Sequence, residues 1–305
     1  MSFSSSTLFT RTAPALFVVL WSSGFIVARL VAPHSTPLAF LSLRYAAAIL
    51  VLAVLVWLGG VRGPRSSGEV AQPAVAGLLL HGVYLGGIFW SVKNGLPAGI
   101  AGLFSGLQPL ATAALAGPLL GERVGPRRWA GIGLGFAGAV LVLAPKLGTG
   151  GDAIPLAAIG VGLLAVAGFT AGTLWQKRTG TSVDLRAVTM IQYSAALVPT
   201  LLAALLFENI RLDPVPELAL GLFWSVAGLS IGAVLLLLAL IHRGAVVRVA
   251  ALLYLVPPVT ALMAWLAFGE TLNVVQLLGM ALAAIGVALA SRPEPVEDAE
   301  TEPDA

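Results

Sequence analysis

The chain has 305 residues, 58% of them hydrophobic and only 10% charged, with a mean hydropathy of +0.95 and a formal net charge of +3. A soluble domain carries about 25% charged residues to wet its surface, so a soluble enzyme body is excluded. Basic residues scattered singly exclude a nucleic-acid interface, and the absence of cysteine excludes disulfides, a Cys-ligated zinc and a thiolate nucleophile.

What remains is an all-α integral membrane protein. A helix crosses a bilayer core of roughly 30 Å with about 20 apolar residues. Ten such blocks follow one another at 13–33, 38–58, 73–92, 97–118, 128–145, 154–175, 186–207, 217–240, 246–268 and 273–291. Gly and Pro punctuate them, as at Pro33, Gly59-Gly60, Gly63-Pro64, Asp213-Pro214 and Gly269-Glu270. No block alternates as a membrane β-strand does. The first block ends in Arg29 and lacks a small-x-small cleavage site before Pro33, so it reads as a retained helix and not as a signal peptide. Residues 1–12 form a short N-terminal tail. Residues 292–305 carry Glu294, Glu297, Asp298, Glu300, Glu302 and Asp304 with little apolar content, which predicts an acidic disordered tail.

Positive charge marks the cytoplasmic side of a membrane protein. With the N-terminus inside, the inner loops hold Arg11, Arg62, Arg65, Arg123, Arg127, Arg128, Lys177, Arg178, Arg186, Arg243, Arg248 and Arg292; the outer ones hold Lys93, Lys146 and Arg211. The bias persists along the chain, so both termini are expected in the cytoplasm. The Arg-rich, Ala- and Gly-rich composition points to a bacterial inner membrane.

Spans 4 and 5 echo spans 9 and 10. Pro109 aligns with Pro258, Gly121-Glu122 with Gly269-Glu270, Gly131 with Gly279, Gly138 with Gly286 and Pro145 with Pro293, at offsets of 148 or 149. The front of each half echoes more faintly, Gly24-Phe25 against Gly168-Phe169 and Arg44-Tyr45 against Gln192-Tyr193. The expected organisation is a five-helix repeat over 13–145, a linker over 146–153 and a second repeat over 154–291. Five is odd, so the second copy inserts inverted. Inverted repeats surrounding a midplane site are a signature of secondary transporters; a duplicated scaffold without cargo is the alternative.

These residues resemble the EamA type of the drug/metabolite transporter superfamily. The resemblance rests on Trp21-Ser22-Ser23-Gly24-Phe25, Arg44-Tyr45, Pro109 followed by Gly121-Glu122-Arg123, and Pro258 followed by Gly269-Glu270-Thr271. It covers about 13–290 and implies ten transmembrane helices around a central cavity, with export from the cytoplasm common. It does not name a cargo.

Within that frame, Pro109 and the pair Pro257 and Pro258 lie about mid-depth in spans 4 and 9 and predict matched helix breaks, where freed carbonyls face protein or a wet cavity; bending for packing alone is the competing reading. Candidate cavity residues are Trp21, Arg44, His81, Tyr84, Gln108, Trp175, Gln192, Tyr193 and Tyr254. Amides and phenols can bond a polar cargo, and aromatic faces can hold an ammonium. His81 and Tyr84 are spaced to share a face. Arg44 either snorkels outward or pairs with a cargo carboxylate or an outer gate; Arg29, nearer its helix end, is expected to snorkel.

No carboxylate lies inside a span away from its end. A carboxylate proton relay is therefore missing, and His81 would be the carrier if protons are coupled. The expected function is a secondary transporter, an exporter or exchanger, of small metabolites such as amino acids. The alternatives are a proton-coupled multidrug exporter and, from another class, a polytopic membrane enzyme. For the enzyme, Asp152, Asp184 and Asp213 are isolated rather than paired for Mg²⁺, and no P-loop occurs. No cofactor, metal site or catalytic residue is expected; the partners are a small-molecule substrate and the lipid bilayer, and a monomer suffices.

Overall fold

In the computed structural model the described residues are 7–120, 125–147, 153–179, 183–233, 236 and 255–290. They are helical, apart from loops and one isolated antiparallel bridge between Ser35 and Leu212. In chain order the helices are α1 (Thr7–Val31), α2 (Pro37–Leu58), α3 (Ser67–Lys93), α4 (Ala98–Gly106 and Gln108–Leu120), α5 (Pro126–Leu143), α6 (Leu156–Thr179), α7 (Leu185–Phe207), α8 (Pro216–Gly232), α9 (Val256–Phe268) and α10 (Val274–Ala290). Those that include α2 to α7 are long and apolar enough to cross a membrane; the apolar parts of α1, α8, α9 and α10 are shorter among the described residues.

Local chemistry sets where the helices begin. Pro37, Pro126 and Pro216 each stand in a first turn, where the missing N–H costs nothing. The Ser66 hydroxyl accepts from the Glu69 N–H, and the Asp184 carboxylate accepts from the Arg186 N–H. At α10, Asn273 and Gln276 cap each other reciprocally: each side-chain oxygen accepts the other's backbone N–H, at 2.9 and 3.1 Å. The α9 helix ends in Gly269, at φ +68°, a left-handed conformation that glycine adopts without strain.

The surface is inverted relative to a soluble protein. Leu50, Val54 and Trp57 on α2 and Leu201, Leu205, Leu206 and Phe207 on α7 point outward, Trp57 and Phe207 being 79% and 83% exposed. Ser22, Ser91, Thr170, Thr200, Ser225, Ser230, Thr260 and Gln276 are buried. An apolar exterior this extensive is stable only in lipid, which makes this a membrane protein.

Helix contact relies on glycine. A methyl group on Gly138 would lie 2.4 Å from the Ala283 nitrogen and 2.5 Å from the Gly279 carbonyl oxygen, and one on Gly131 2.7 Å from the Gly286 oxygen. Early residues of α5 thus meet late residues of α10, so the two run antiparallel. On the α4–α9 seam, Gly99, Gly102 and Gly106 receive Ala261, Thr260 and Pro257. In lipid there is no hydrophobic drive between helices, so backbone proximity supplies the packing energy.

Carboxylates tie helix starts to distant helix ends. Glu270, after α9, accepts from the N–H groups of Ala98 and Gly99 at the start of α4; Glu208, after α7, accepts from those of Leu38 and Ala39 at the start of α2. A negative charge there also suits the helix dipole. Beside them the 31–36 and 211–213 loops join through Thr36 N–H to the Arg211 oxygen and Asp213 N–H to the His34 oxygen, both at 2.9 Å. The Arg211 guanidinium hydrogen-bonded to Asp213 holds that carboxyl below the usual carboxylate range.

Gly138→Leu or Gly286→Leu is expected to wedge α5 from α10 and cost on the order of 1–3 kcal/mol, read as a lowered melting temperature in detergent. Gly133→Leu, where an added Cβ meets nothing within 4 Å, should leave the melting temperature unchanged.

Candidate functional site

Two irregular helices position the interior. The α3 helix is π-helical over Leu78–Leu85 and the α8 helix over Ser225–Gly232, segments of equal length 147 residues apart. A π turn withdraws carbonyls from the i→i+4 ladder and commonly marks functional sites. The Tyr45 hydroxyl on α2 donates to the His81 carbonyl within the first of these segments, at 2.8 Å.

Around that bond lies a polar and aromatic cluster. The rings of Tyr45 and Tyr193 stack with centroids 5.5 Å apart, and His81 lies 4.4 Å from Tyr193 and 6.0 Å from Tyr45. The Tyr193 hydroxyl donates to Ser230 Oγ at 2.9 Å, in the second π segment. Gln192 is pinned by a close crossing, since a Cβ on Gly77 would lie 2.3 Å from the Gln192 carbonyl oxygen. Arg44 and Gln192 flank His81. Among the described residues the Arg44 Nε, both His81 ring nitrogens and the Gln192 Nε2 are buried without a hydrogen-bond partner. Arg44 is 5% exposed: it is buried within the protein and does not snorkel.

The other candidates fall elsewhere. Tyr84 donates to Ser105 Oγ at 3.1 Å and stacks on Phe169 at 4.4 Å, and Phe169 in turn lies 6.0 Å from Trp21. Tyr84 therefore does not share the face of His81. The π segment advances each residue by less than an α turn does, so residues three apart diverge. Gln108 is buried and donates to Thr112 Oγ1 on its own helix. Trp175 donates its indole N–H to the Gln72 carbonyl and lines a separate groove of about 430 Å³ between α4, α5 and α6, within the size range of ligand pockets. Leu107, Phe136, Thr170 and Arg178 are among its other walls. The eight described candidates thus fall in more than one place. Tyr254 lies outside the described residues.

Regular helix stops at Leu107, between the two pieces of α4, and Pro109 opens the second piece. Pro257 and Pro258 stand in the first turn of α9. Pro257 packs against Gly106 just before the α4 interruption, with an added Cβ on Gly106 2.6 Å from the proline ring. The start of α9 therefore meets α4 three residues before Pro109. Arg29 does find a partner: its Nε lies 3.4 Å from a Glu270 carboxylate oxygen and its guanidinium 5.9 Å from the Phe268 ring centre. Among the described residues no group of three His, Asp or Glu is placed to hold a metal.

Tyr45, Ser105, Phe169 and Ser230 were not foreseen from sequence. Tyr45 had a usable signal, because its counterpart in the second half, Tyr193, was a candidate and the two rings stack. Ser230 and Ser105 carry none, since buried serines are ordinary in membrane helices.

Known proteins bear on this arrangement. The model of the EamA-like transporter family matches residues 13–144 and again 156–292. A protein of Salmonella typhimurium named "Probable amino-acid metabolite efflux pump" is 29% identical over 89% of this chain and 91% of its own length. A Streptantibioticus cattleyicolor protein named "Probable terminal-alkyne amino-acid exporter" is 31% identical over 92% of each chain. An Escherichia coli K12 protein named an uncharacterized inner membrane transporter is 27% identical over 90% of this chain and 89% of its own. A solved crystal structure superposes with a TM-score of 0.65 at 21% identity, covering 93% of this chain and 97% of that one, a likeness of fold alone.

Gly77→Val is expected to push Gln192 away from His81. The loss would show as lowered thermal stability in detergent, by about 1–3 kcal/mol, and Gly82→Val, in open space, should serve as the silent comparison.

Proposed function

This chain belongs to the EamA-like transporter family, and on that premise we propose that it is a secondary exporter or exchanger of amino-acid-like metabolites in a bacterial inner membrane. The observation that carries the reading is the Tyr45–His81–Gln192–Tyr193 cluster. It is a buried polar and aromatic site built from helices of both halves of a membrane transporter. The names of the Salmonella and Streptantibioticus relatives support amino acids as the cargo class.

The architecture we propose is ten transmembrane helices in two inverted repeats. Three features support it. The two π segments recur at a 147-residue offset. The α5–α10 crossing is reciprocal, Gly131 meeting Gly286 and Gly138 meeting Gly279. Since Gly131 aligns with Gly279 and Gly138 with Gly286, one contact becomes the other when the halves are exchanged, as a two-fold relation requires. Tyr45 and Tyr193, aligned in the two halves, stack on each other. The positive loops support a cytoplasmic location for both termini.

Alternating access then works around this centre. Rocking of one half against the other needs a seam that can move and a break that absorbs the movement. The α4–α9 seam supplies both, with small side chains facing the helix interruption at Leu107 and the Pro257 ring. At one end of that seam Glu270 fastens α9 to α4 and to Arg29. The groove that Trp175 lines, at the other end, is the entry we assign to cargo. No carboxylate joins the cluster among the described residues, which favours a facilitator or exchanger over a carboxylate proton relay.

Counterflow in proteoliposomes preloaded with an amino-acid mixture tests the function directly. Accumulation of a subset of labelled amino acids is the expected result; no accumulation by folded protein would remove amino acids as the cargo class. Pro109→Ala and Pro258→Ala should each lower the counterflow rate several-fold with insertion and folding preserved. Normal rates in both would reduce the prolines to packing residues.

A further inference from the structure

The unbonded atoms around His81 form a pattern. Arg44 Nε and Gln192 Nε2 are donors, and an imidazole always has at least one N–H to donate. All are buried, none is satisfied, and among the described residues no ion pair reaches Arg44. A buried unpaired cation is costly to keep, as is each orphaned donor to a lesser degree. Membrane proteins keep such groups where they meet a ligand or a counter-ion.

The missing acceptor has a definite chemistry. It must be anionic, to offset the guanidinium, and must offer several lone pairs to donors arriving from different helices. A carboxylate meets both needs: two oxygens with about four acceptor sites, suited to the guanidinium fork. We infer that Arg44, Gln192 and His81 form the receptor for the cargo's carboxylate, with the stacked Tyr45 and Tyr193 rings fixing it from the side. The inference rests on the export reading above and narrows its substrate class to carboxylate-bearing molecules, excluding plain amines and neutral drugs.

The two halves contribute unequally, and that inequality is informative. Arg44-Tyr45 and Gln192-Tyr193 are aligned in the two repeats. The tyrosines are the same, but one half supplies a charge where the other supplies an amide. A site with two arginines would demand a dianion, and a site with two glutamines would bind no anion strongly. One of each matches a single carboxylate.

The test uses purified full-length protein in detergent and its melting temperature. The probes are L-leucine, L-threonine and L-phenylalanine, the decarboxylated amines of each, and sodium chloride and sodium sulfate as free anions. At least one amino acid should raise the melting temperature by several degrees while its matched amine does not. Arg44→Gln should abolish the rise and Arg44→Lys should retain part of it, since an ammonium keeps the charge and loses the fork. Should Arg44→Gln not fold, Gln192→Glu decides the question. It places a carboxylate within the site, so the unliganded variant should melt higher than wild type and no longer respond to amino acids. Equal stabilisation by the amines, stabilisation by chloride or sulfate alone, an undiminished response in Arg44→Gln or in Gln192→Glu, or no response to any probe would each overturn the inference. Counterflow separates this from the function itself. Transport of amino acids and amines alike keeps the exporter and removes the carboxylate receptor. Stabilisation by carboxylates without counterflow keeps the receptor and removes the exporter.

Discussion

Close approach of backbones at glycine organises this molecule. A bilayer withholds the hydrophobic drive that packs soluble helices, so association rests on dispersion and on interhelical polar contacts. At Gly138 and Gly279, and again at Gly131 and Gly286, main chain meets main chain with no side chain between. The resulting antiparallel pair, α5 and α10, sets the last helix of each half against the other. Gln276 adds to the same seam, donating to the Val142 carbonyl from a nearly fully buried position. The α4–α9 seam uses the same device with one difference: its glycines face side chains, those of Ala261, Thr260 and Pro257, as well as backbone.

Irregular backbone is concentrated where that second seam and the interior cluster lie. An interrupted helix or a π turn leaves carbonyls that lipid cannot satisfy, so such geometry persists only against protein. Tyr45 takes up one of these carbonyls, that of His81. The hydrogen bond thereby couples α2 to the π segment of α3 and turns the imidazole toward Tyr193. Tyr84, three residues along, is rotated onto Phe169 and joins the α1–α6 side of the molecule. One helical irregularity so divides a single apparent face into two sites.

The arginines show how tertiary context assigns opposite fates to one residue type. Arg29 reaches Glu270, which also caps α4, and the charges are neutralised at a helix end with partial exposure to solvent. Arg44 is more deeply buried, on the same turn as Tyr45, and among the described residues no carboxylate pairs with it. The first is a fastening between helices; the second is a buried cation that no carboxylate reaches among the described residues.

Composition and spacing alone determined that the protein lives in lipid, because 10% charge cannot wet a globule of this size. They also gave the order of the apolar helices and suggested the alignment of the halves, because prolines, glycines and Gly-Glu pairs recur at offsets of 148 or 149. The family followed from the same residues. Sequence also pointed to Arg44, His81, Gln192 and Tyr193, since polar groups at mid-span are costly and hence few. What it could not decide was which of nine candidates share a site. That depends on helix rotation, and the π segments alter the rotation without any marker in residue type. Nor could it decide between snorkelling and burial for Arg44, or find the Glu270 partner of Arg29, which was expected only to snorkel. Only the crossing of helices, set by where glycine lets backbones touch, brought a carboxylate to Arg29 and none to Arg44 among the described residues.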